Sequence, residues 1–309
     1  MSNSMNLKPW EHFLAVAAFG SLTRAAQRLG IAQPALSREM MELERQLGIK
    51  LFVRHARGLQ LTVAGENFRT RSQSVLEDIR ALRSSLLAEK NVPAGRLAVG
   101  VPPAMNAMLT TKVLELYCTK YPQVSLYVVE GPTNELGKSL VDRQIDVAVL
   151  SKGDSTQGLS MTPLLSEALF LVGKKNSLPK TREIPIKTIL DLPLIMSPLP
   201  NVIHRTVQDA YLNHKAVPRI MMETNTWSLV SLIGTGKGYT FMPDSGRFNF
   251  PANAYSSVQV KGLRIEWFIA ALSYRPPSVA AVAFSQTVQE CARAVMATGA
   301  WKTARPWQA

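Results

Sequence analysis

The sequence predicts an α/β protein in two parts: a small amino-terminal part of helices with a two-stranded wing, and a larger part in which strands and helices alternate. Three observations predict it. Residues 21–51 read as two helices joined by a tight turn. Residues 62–90 carry one narrow apolar stripe along a single long helix. From residue 97 onward, short apolar runs alternate with helical periodicities, which is the pattern of a parallel sheet with crossover helices. A chain of 309 residues with 46% apolar composition has material for two or three domains with real cores.

In chain order, residues 7–19 set Leu7, Trp10, Phe13, Leu14 and Ala17 on one helical face. Thr23 is positioned to cap the next helix, whose apolar face is Ala25, Ala26 and Leu29, and Gly30 ends it because glycine takes a left-handed backbone freely. Pro34 falls in the first turn of the following helix, where its missing N–H costs nothing. Leu36, Met40, Leu43 and Leu47 then predict an inward stripe, leaving Gln33, Ser37, Arg38 and Arg45 outside. A helix start bearing Gln, Ser and Arg suits DNA, since Arg can bond guanine bidentately and Gln can bond adenine in the major groove. The competing reading is an ordinary pair of packed helices. Residues 51–53 and 59–62 form the expected wing, with Arg54, His55 and Arg57 near its tip as phosphate contacts or as a solvated basic turn. Thr62 caps the long helix, whose stripe is Phe68, Val75, Ile79, Leu82 and Leu86. Such a helix is about 40 Å long at 1.5 Å per residue and too narrow in its apolar face to stand alone, so it calls for a partner helix.

The run Phe13, Gly20, Ser21, Ala25, Ala26, Leu29, Gln33, Pro34, Ala35, Ser37, Leu43, Glu44, Leu47, Gly48, Leu51 and Phe52 resembles the winged helix-turn-helix of the LysR-type transcriptional regulators. Within the family, the opening is most similar to nitrogen-assimilation-control-like regulators. The resemblance implies a sequence-specific regulator acting on double-stranded DNA at an inverted-repeat promoter site. It assigns DNA contact to Gln33, Pro34, Ser37 and Arg38 on the recognition helix and to Thr23, Arg54 and Arg57 at the backbone. It also implies that residues 63–90 are a linker helix pairing with that of a second subunit in a homodimer or homotetramer, with RNA polymerase as a further partner.

Residues 91–95 are the expected hinge into the larger part. Strands are expected at 97–101, 124–130, 145–150, 164–173, 239–242 and 267–273, and helices at 111–121, 135–142, 202–214, 226–234 and 279–298. The Tyr121-Pro122 pair, Glu130 and Asp146 resemble the family's effector-binding domain, which is similar to periplasmic binding proteins. That implies two lobes, 91–164 with 268–309 and 165–267, crossed near 164 and 268, with a small-molecule, anionic effector between them. By the same correspondence Pro103, Ala104, Thr133, Ser197, Pro198, Thr226 and Trp227 line the cleft. Pro102, Pro103 and Ala104 stand where many relatives carry hydroxyls, which leaves the N–H groups of Ala104 and Met105 to hold an anion and favours an acid with an apolar body. Thr133 and Thr226 serve equally well as helix caps.

The net charge of +13 favours a polyanionic partner. Residues 1–90 hold 13 Lys and Arg against 8 Asp and Glu, so the excess is spread along the chain. No apolar run reaches the length of a membrane span, and a cytoplasmic protein with no membrane partner is expected. Cys118 and Cys291 are far apart and are expected as two buried, reduced thiols. The four histidines lack metal spacing and no nucleophile has a base motif beside it, so no cofactor, metal or catalytic residue is expected. A solute-binding or enzymatic α/β protein with an accessory helical domain is the alternative function. Gly234-Thr235-Gly236-Lys237-Gly238 follows a predicted helix and so reads as a helix stop rather than a nucleotide loop. Residues 299–309, with Trp301 and Trp307, exceed the expected closing helix and form a tail or dock on a neighbouring subunit.

Overall fold

The computed structural model describes residues 7–55, 58–87, 92–153, 156–224, 226–249 and 254–307. The chain divides into two compact units, Met1–Glu89 and Lys90–Ala309.

In the first unit, α1 (Lys8–Phe19), α2 (Leu22–Leu29) and α3 (Gln33–Leu47) are followed by the hairpin β1 (Phe52–His55) and β2 (Gly58–Leu61), and then by α4 (Val63–Leu87). Gly30 ends α2 at φ 68°, as its position predicts. The cap of α2 is Ser21, whose Oγ accepts from Arg24 N; Thr23 lies inside the helix and is exposed. Phe13, Val16, Ala25, Ala26, Leu36, Met40, Leu43 and Leu51 form one core, which Trp10, Phe52 and Phe68 close at its edge. Leu47 is not part of it and is 42% exposed; it sits on the last turn of α3, beyond the elements that cover the stripe. Thr62 caps α4 by accepting from Gly65 N and also donates to Lys50 O, so one hydroxyl ties helix start to wing start. On α4, Ser72 and Leu76 are buried and Val75 is 37% exposed, so the buried face is rotated from the expected stripe; the side chains of Leu82 and Leu86 lie outside the described residues.

The second unit opens with β3 (Gly95–Val101), a short helical passage over 103–110, α5 (Thr111–Lys120), β4 (Val124–Glu130), α6 (Thr133–Val141) and β5 (Val147–Ser151). β3 pairs in parallel with both β4 and β5, as the alternation predicts. Asp146 fixes the entry to β5, accepting from Ala98 N at 2.9 Å while its own N–H donates to Ala98 O. Then follow β6 (Leu159–Lys174), β7 (Glu183–Ile184), β8 (Leu194–Met196), α7 (Val202–Leu212), β9 (Ile220–Glu223), α8 (Thr226–Gly234), β10 (Thr240–Pro243), α9 (Asp244–Arg247), β11 (Tyr255–Leu272), α10 (Val279–Ala297) and β12 (Arg305–Pro306). α8 ends into Thr235 and Gly236, the latter at φ 81°, in keeping with a helix stop.

The strands β6 and β11 are 16 and 18 residues long, far longer than the separate segments expected, and each contains one of the two predicted crossings. They pair antiparallel along their lengths and join the lobes into one sheet of order β10-β6-β11-β5-β3-β4. The register of β11 on β6 breaks between Gln259 and Arg264 and again between Trp267 and Phe268. Of the two cysteines only Cys291 is buried; Cys118 is exposed on α5, opposite the helix face that seats Val113 and Tyr117. Residues 299–307 dock on their own chain: Trp301 is 2% exposed and β12 pairs with β6.

Candidate nucleic-acid interface and inter-lobe cleft

The nucleic-acid candidates follow from how α3 is seated. Its buried side, Leu36, Met40 and Leu43, packs on α1 and α2, which turns its first two turns outward: Pro34 and Arg38 are exposed, Gln33 and Ser37 half-buried. Arg38 Nε lies 3.4 Å from Pro34 O, so its guanidinium is held near the helix start. His12 on α1 meets Glu39 at 2.5 Å and helps fix the axial position of α3. Arg45 is exposed, as expected, and is engaged with Glu42 at 2.5 and 2.7 Å. On α2 the exposed residues are Thr23, Arg24, Gln27 and Arg28. Arg54 lies in β1 opposite Leu59, but its side chain, and Arg57 altogether, lie outside the described residues.

Sequence reasoning missed what holds the wing. Glu44, on the buried side of α3, accepts from Leu51 N at 2.9 Å and Phe52 N at 3.1 Å and meets Lys50 Nζ at 2.6 Å. Burial pushes its carboxyl up, but the hydrogen bonds from Lys50, Leu51 and Phe52 outweigh that and hold it below the usual value. The signal was a charged residue on an otherwise apolar stripe, one helical turn after Met40.

The cleft candidates separate into two groups. Thr133 is buried at the first position of α6, where Pro132 is the cap residue, so Thr133 does not cap the helix with its side chain. Its Oγ accepts from Ser151 N at 3.1 Å and lies 3.0 Å from Ser151 Oγ, joining the start of α6 to the end of β5. A Cβ at Gly153 would stand 3.2 Å from Val202 and 3.9 Å from Thr133, so this edge of the first lobe faces the start of α7 in the second. There Asn201 caps α7, and buried His204 has its Nδ1 2.8 Å from Ser197 O and 3.6 Å from Glu223 Oε1. Pro198 is exposed; Thr226 and Trp227 begin α8 and their side chains lie outside the described residues.

Pro103 and Ala104 belong to the other group. The Asn249 side chain, just past α9, donates to Pro103 O at 2.8 Å and accepts from Ala107 N at 3.0 Å, and a Cβ at Gly246 would sit 3.6 Å from Ala104 Cβ. Met105 N–H donates to Pro102 O. The expectation that Met105 N–H would hold an anion is therefore corrected, because that donor closes a tight turn within the chain. Ser151, His204 and Asn249 are the residues the sequence did not single out here; each is polar and its partner is remote or on another element.

Residues 7–66 match the family described as bacterial regulatory helix-turn-helix protein, lysR family, and residues 90–293 match the LysR substrate binding domain. The nitrogen assimilation regulatory protein nac of Klebsiella aerogenes is 29% identical over 246 residues, covering 78% of this chain and 79% of that one. The HTH-type transcriptional regulator YcgK of Bacillus subtilis is 27% identical over 307 residues, covering 93% and 94%. Among solved structures, full-length CbnR in complex with its target DNA superposes with a TM-score of 0.71 at 20% identity, covering 93% of this chain and 100% of that chain.

Proposed function

The chain belongs to the LysR family of bacterial regulatory helix-turn-helix proteins, and from that premise we propose how this DNA-binding transcriptional regulator reads DNA and what it senses. Gln33, Ser37 and Arg38 read base edges in the major groove, with Pro34 starting the helix that carries them. Thr23, Arg54 and Arg57 hold phosphates and set position without specifying sequence. The observation that supports this most is the exposed start of α3, with Arg38 held at its first turn and the opposite face fixed in the core.

Residues 63–90 pair with the same helix of a second subunit, so that a homodimer or homotetramer spans an inverted repeat in the cytoplasm and meets RNA polymerase there. The effector is a small anionic molecule with an apolar body, bound between the lobes near Thr133, Ser197, Pro198 and the starts of α7 and α8, with Pro103, Ala104, Thr226 and Trp227 around it. Helix starts carry a partial positive charge that attracts an anion; at α7 the N–H groups of Ile203 and His204 are already taken by Asn201, so the field acts there rather than those donors. The chain acts by switching between lobe arrangements rather than by catalysis, and the effector works by binding one arrangement better than the other.

The test is a footprint on the DNA upstream of the protein's own gene, with binding curves for the wild type and Arg38→Ala. A bidentate Arg–guanine pair is worth about 1–3 kcal/mol, so affinity should fall about 5- to 150-fold and preference at one base position should relax. Full operator affinity in the variant would overturn the recognition-helix assignment.

A further inference from the structure

After α10, Gly299 turns the chain at φ 71° and sends residues 299–307 back across the two strands that pass between the lobes. Trp301 Nε1 donates to Glu167 Oε2 on β6 at 2.9 Å. Thr303 donates to Asp244 Oδ2 of α9 through both Oγ1, at 2.8 Å, and its backbone N–H, at 3.2 Å. The same Oγ1 accepts from Ala168 N on β6, and Thr303 O accepts from Arg264 on β11 at 2.9 Å. Arg305 and Pro306 then pair with Ser166 and Leu165, and the Trp307 ring lies 6.4 Å from that of Phe268. One short segment thus touches β6, β11 and α9 at the same level. The match to the substrate binding domain ends at residue 293, before this segment begins.

The centre of the junction is the fully buried carboxylate of Glu167, which also accepts from Ser245 N at 2.6 Å, Ser245 Oγ at 2.7 Å and Trp267 Nε1 at 2.7 Å. The two breaks in the register of β11 flank it, and irregular pairing is where a strand can bend. Glu167, Ala168, Asp244, Ser245 and Arg264 fall in the second lobe and residues 299–307 in the first, so a change in the angle between the lobes acts on the bonds from Trp301 and Thr303 that join them. Glu167 is buried and has no water to replace Trp301 as a donor, so a shift that parts the two leaves an acceptor unpaired and is resisted.

We propose that residues 299–307 are a strap that fixes the angle between the lobes, against which an effector must work to change their arrangement. The inference uses the two-lobed switch described above only for its biological consequence. Its test uses neither DNA nor effector, so its failure and the failure of that reading are distinguishable.

The experiment is an inter-lobe distance distribution by electron spin resonance on the full chain, with labels at exposed Lys138 on α6 and Leu212 on α7 in a Cys118→Ser background. Labelled chain is diluted into excess unlabelled chain so that only intrachain distances are read. The wild type should give one narrow distribution. Trp301→Phe, Thr303→Val and a chain stopped after Thr298 should broaden it about twofold or shift its centre, as when one arrangement gives way to a mixture. The same centre and width in all variants would overturn the proposal, even with a lowered melting temperature, since the segment would then add stability without setting the angle. Should the shortened chain fail to fold, the two point variants decide alone.

Discussion

Two buried glutamates carry opposite pH signatures. Glu44 is held below its usual value, so the stability it adds to the first unit is present above pH 4.5 and is lost as pH falls through its folded value. Glu44→Ala leaves Leu51 N and Phe52 N without their acceptor, and should cost about 1–3 kcal/mol in thermal or urea unfolding of that unit. Glu167 runs the other way. Burial drives its carboxyl up to about 7 against the pull of Ser245, Trp301 and Trp267. The ordinary value is 4.5, so across the window between these values the folded chain keeps a proton that the unfolded chain has released. Stability is therefore fully present below pH 4.5 and is lost as pH rises toward about 7. At 1.36 kcal/mol per pH unit the change is at most about 3 kcal/mol. Arg264 feels the Glu167 charge, but burial and Arg305 outweigh it and lower the guanidinium. Four of the five tryptophans lie in the second unit, so fluorescence-monitored urea unfolding of the full chain at pH 5 and pH 7.5 reads it. The wild type should be less stable at the higher pH in that transition, and Glu167→Gln should remove most of the difference.

Elements punctuated by local chemistry were legible, and those defined by remote partners were not. Gly30, Pro34 and Thr62 fixed three helix boundaries of the first unit because glycine, proline and a capping hydroxyl act within one turn. Thr23 was misread because Ser21, two residues earlier, offers the same hydroxyl and takes the cap. The lengths of β6 and β11 were hidden by Pro163, Glu167 and Gly262, which break the apolar pattern although all three lie within strands. Nothing near Glu167 in sequence says that Ser245, Trp267 and Trp301 will satisfy it. Thr133 and Ser197 were named from the sequence, but the contacts around them were not legible, since Ser151, His204 and Asn249 gain meaning only from contacts across elements. One close approach is testable at this scale. A Cβ on Gly65 in the first turn of α4 would lie 2.1 Å from Leu51 O and 2.9 Å from Leu61 Cδ2, so α4 packs on the wing only because this residue has no side chain. Gly65→Ala must push the helix start off the hairpin, and by analogy with overpacked cores should cost about 1–3 kcal/mol. Circular dichroism melting of the first-unit transition checks it, and an unchanged melt would show that the hairpin moves freely.

Over the whole molecule, most of the charge excess lies outside the DNA-binding part: residues 1–90 account for +5 of the +13. Charge at a distance and charge in contact act differently. Beyond a Debye length of about 8 Å at physiological salt, a lysine can raise the rate of encounter but releases no phosphate counterion in the complex. Each phosphate neutralised directly contributes about 0.9 to the slope of log affinity against log salt. The proposed wing contacts therefore make a quantitative prediction that net charge alone does not. Replacing Arg54 and Arg57 by alanine should reduce that slope by about 1.8 per subunit, or about 3.6 for a dimer, while leaving preference among operator sequences intact. Replacing exposed Lys174 and Lys175, at the far end of β6, removes the same charge from the chain and should leave the slope unchanged. Fluorescence-anisotropy titrations from 50 to 200 mM salt separate the cases. Equal losses of slope from the two pairs would mean that the spread charge itself binds DNA and that the wing has no special role.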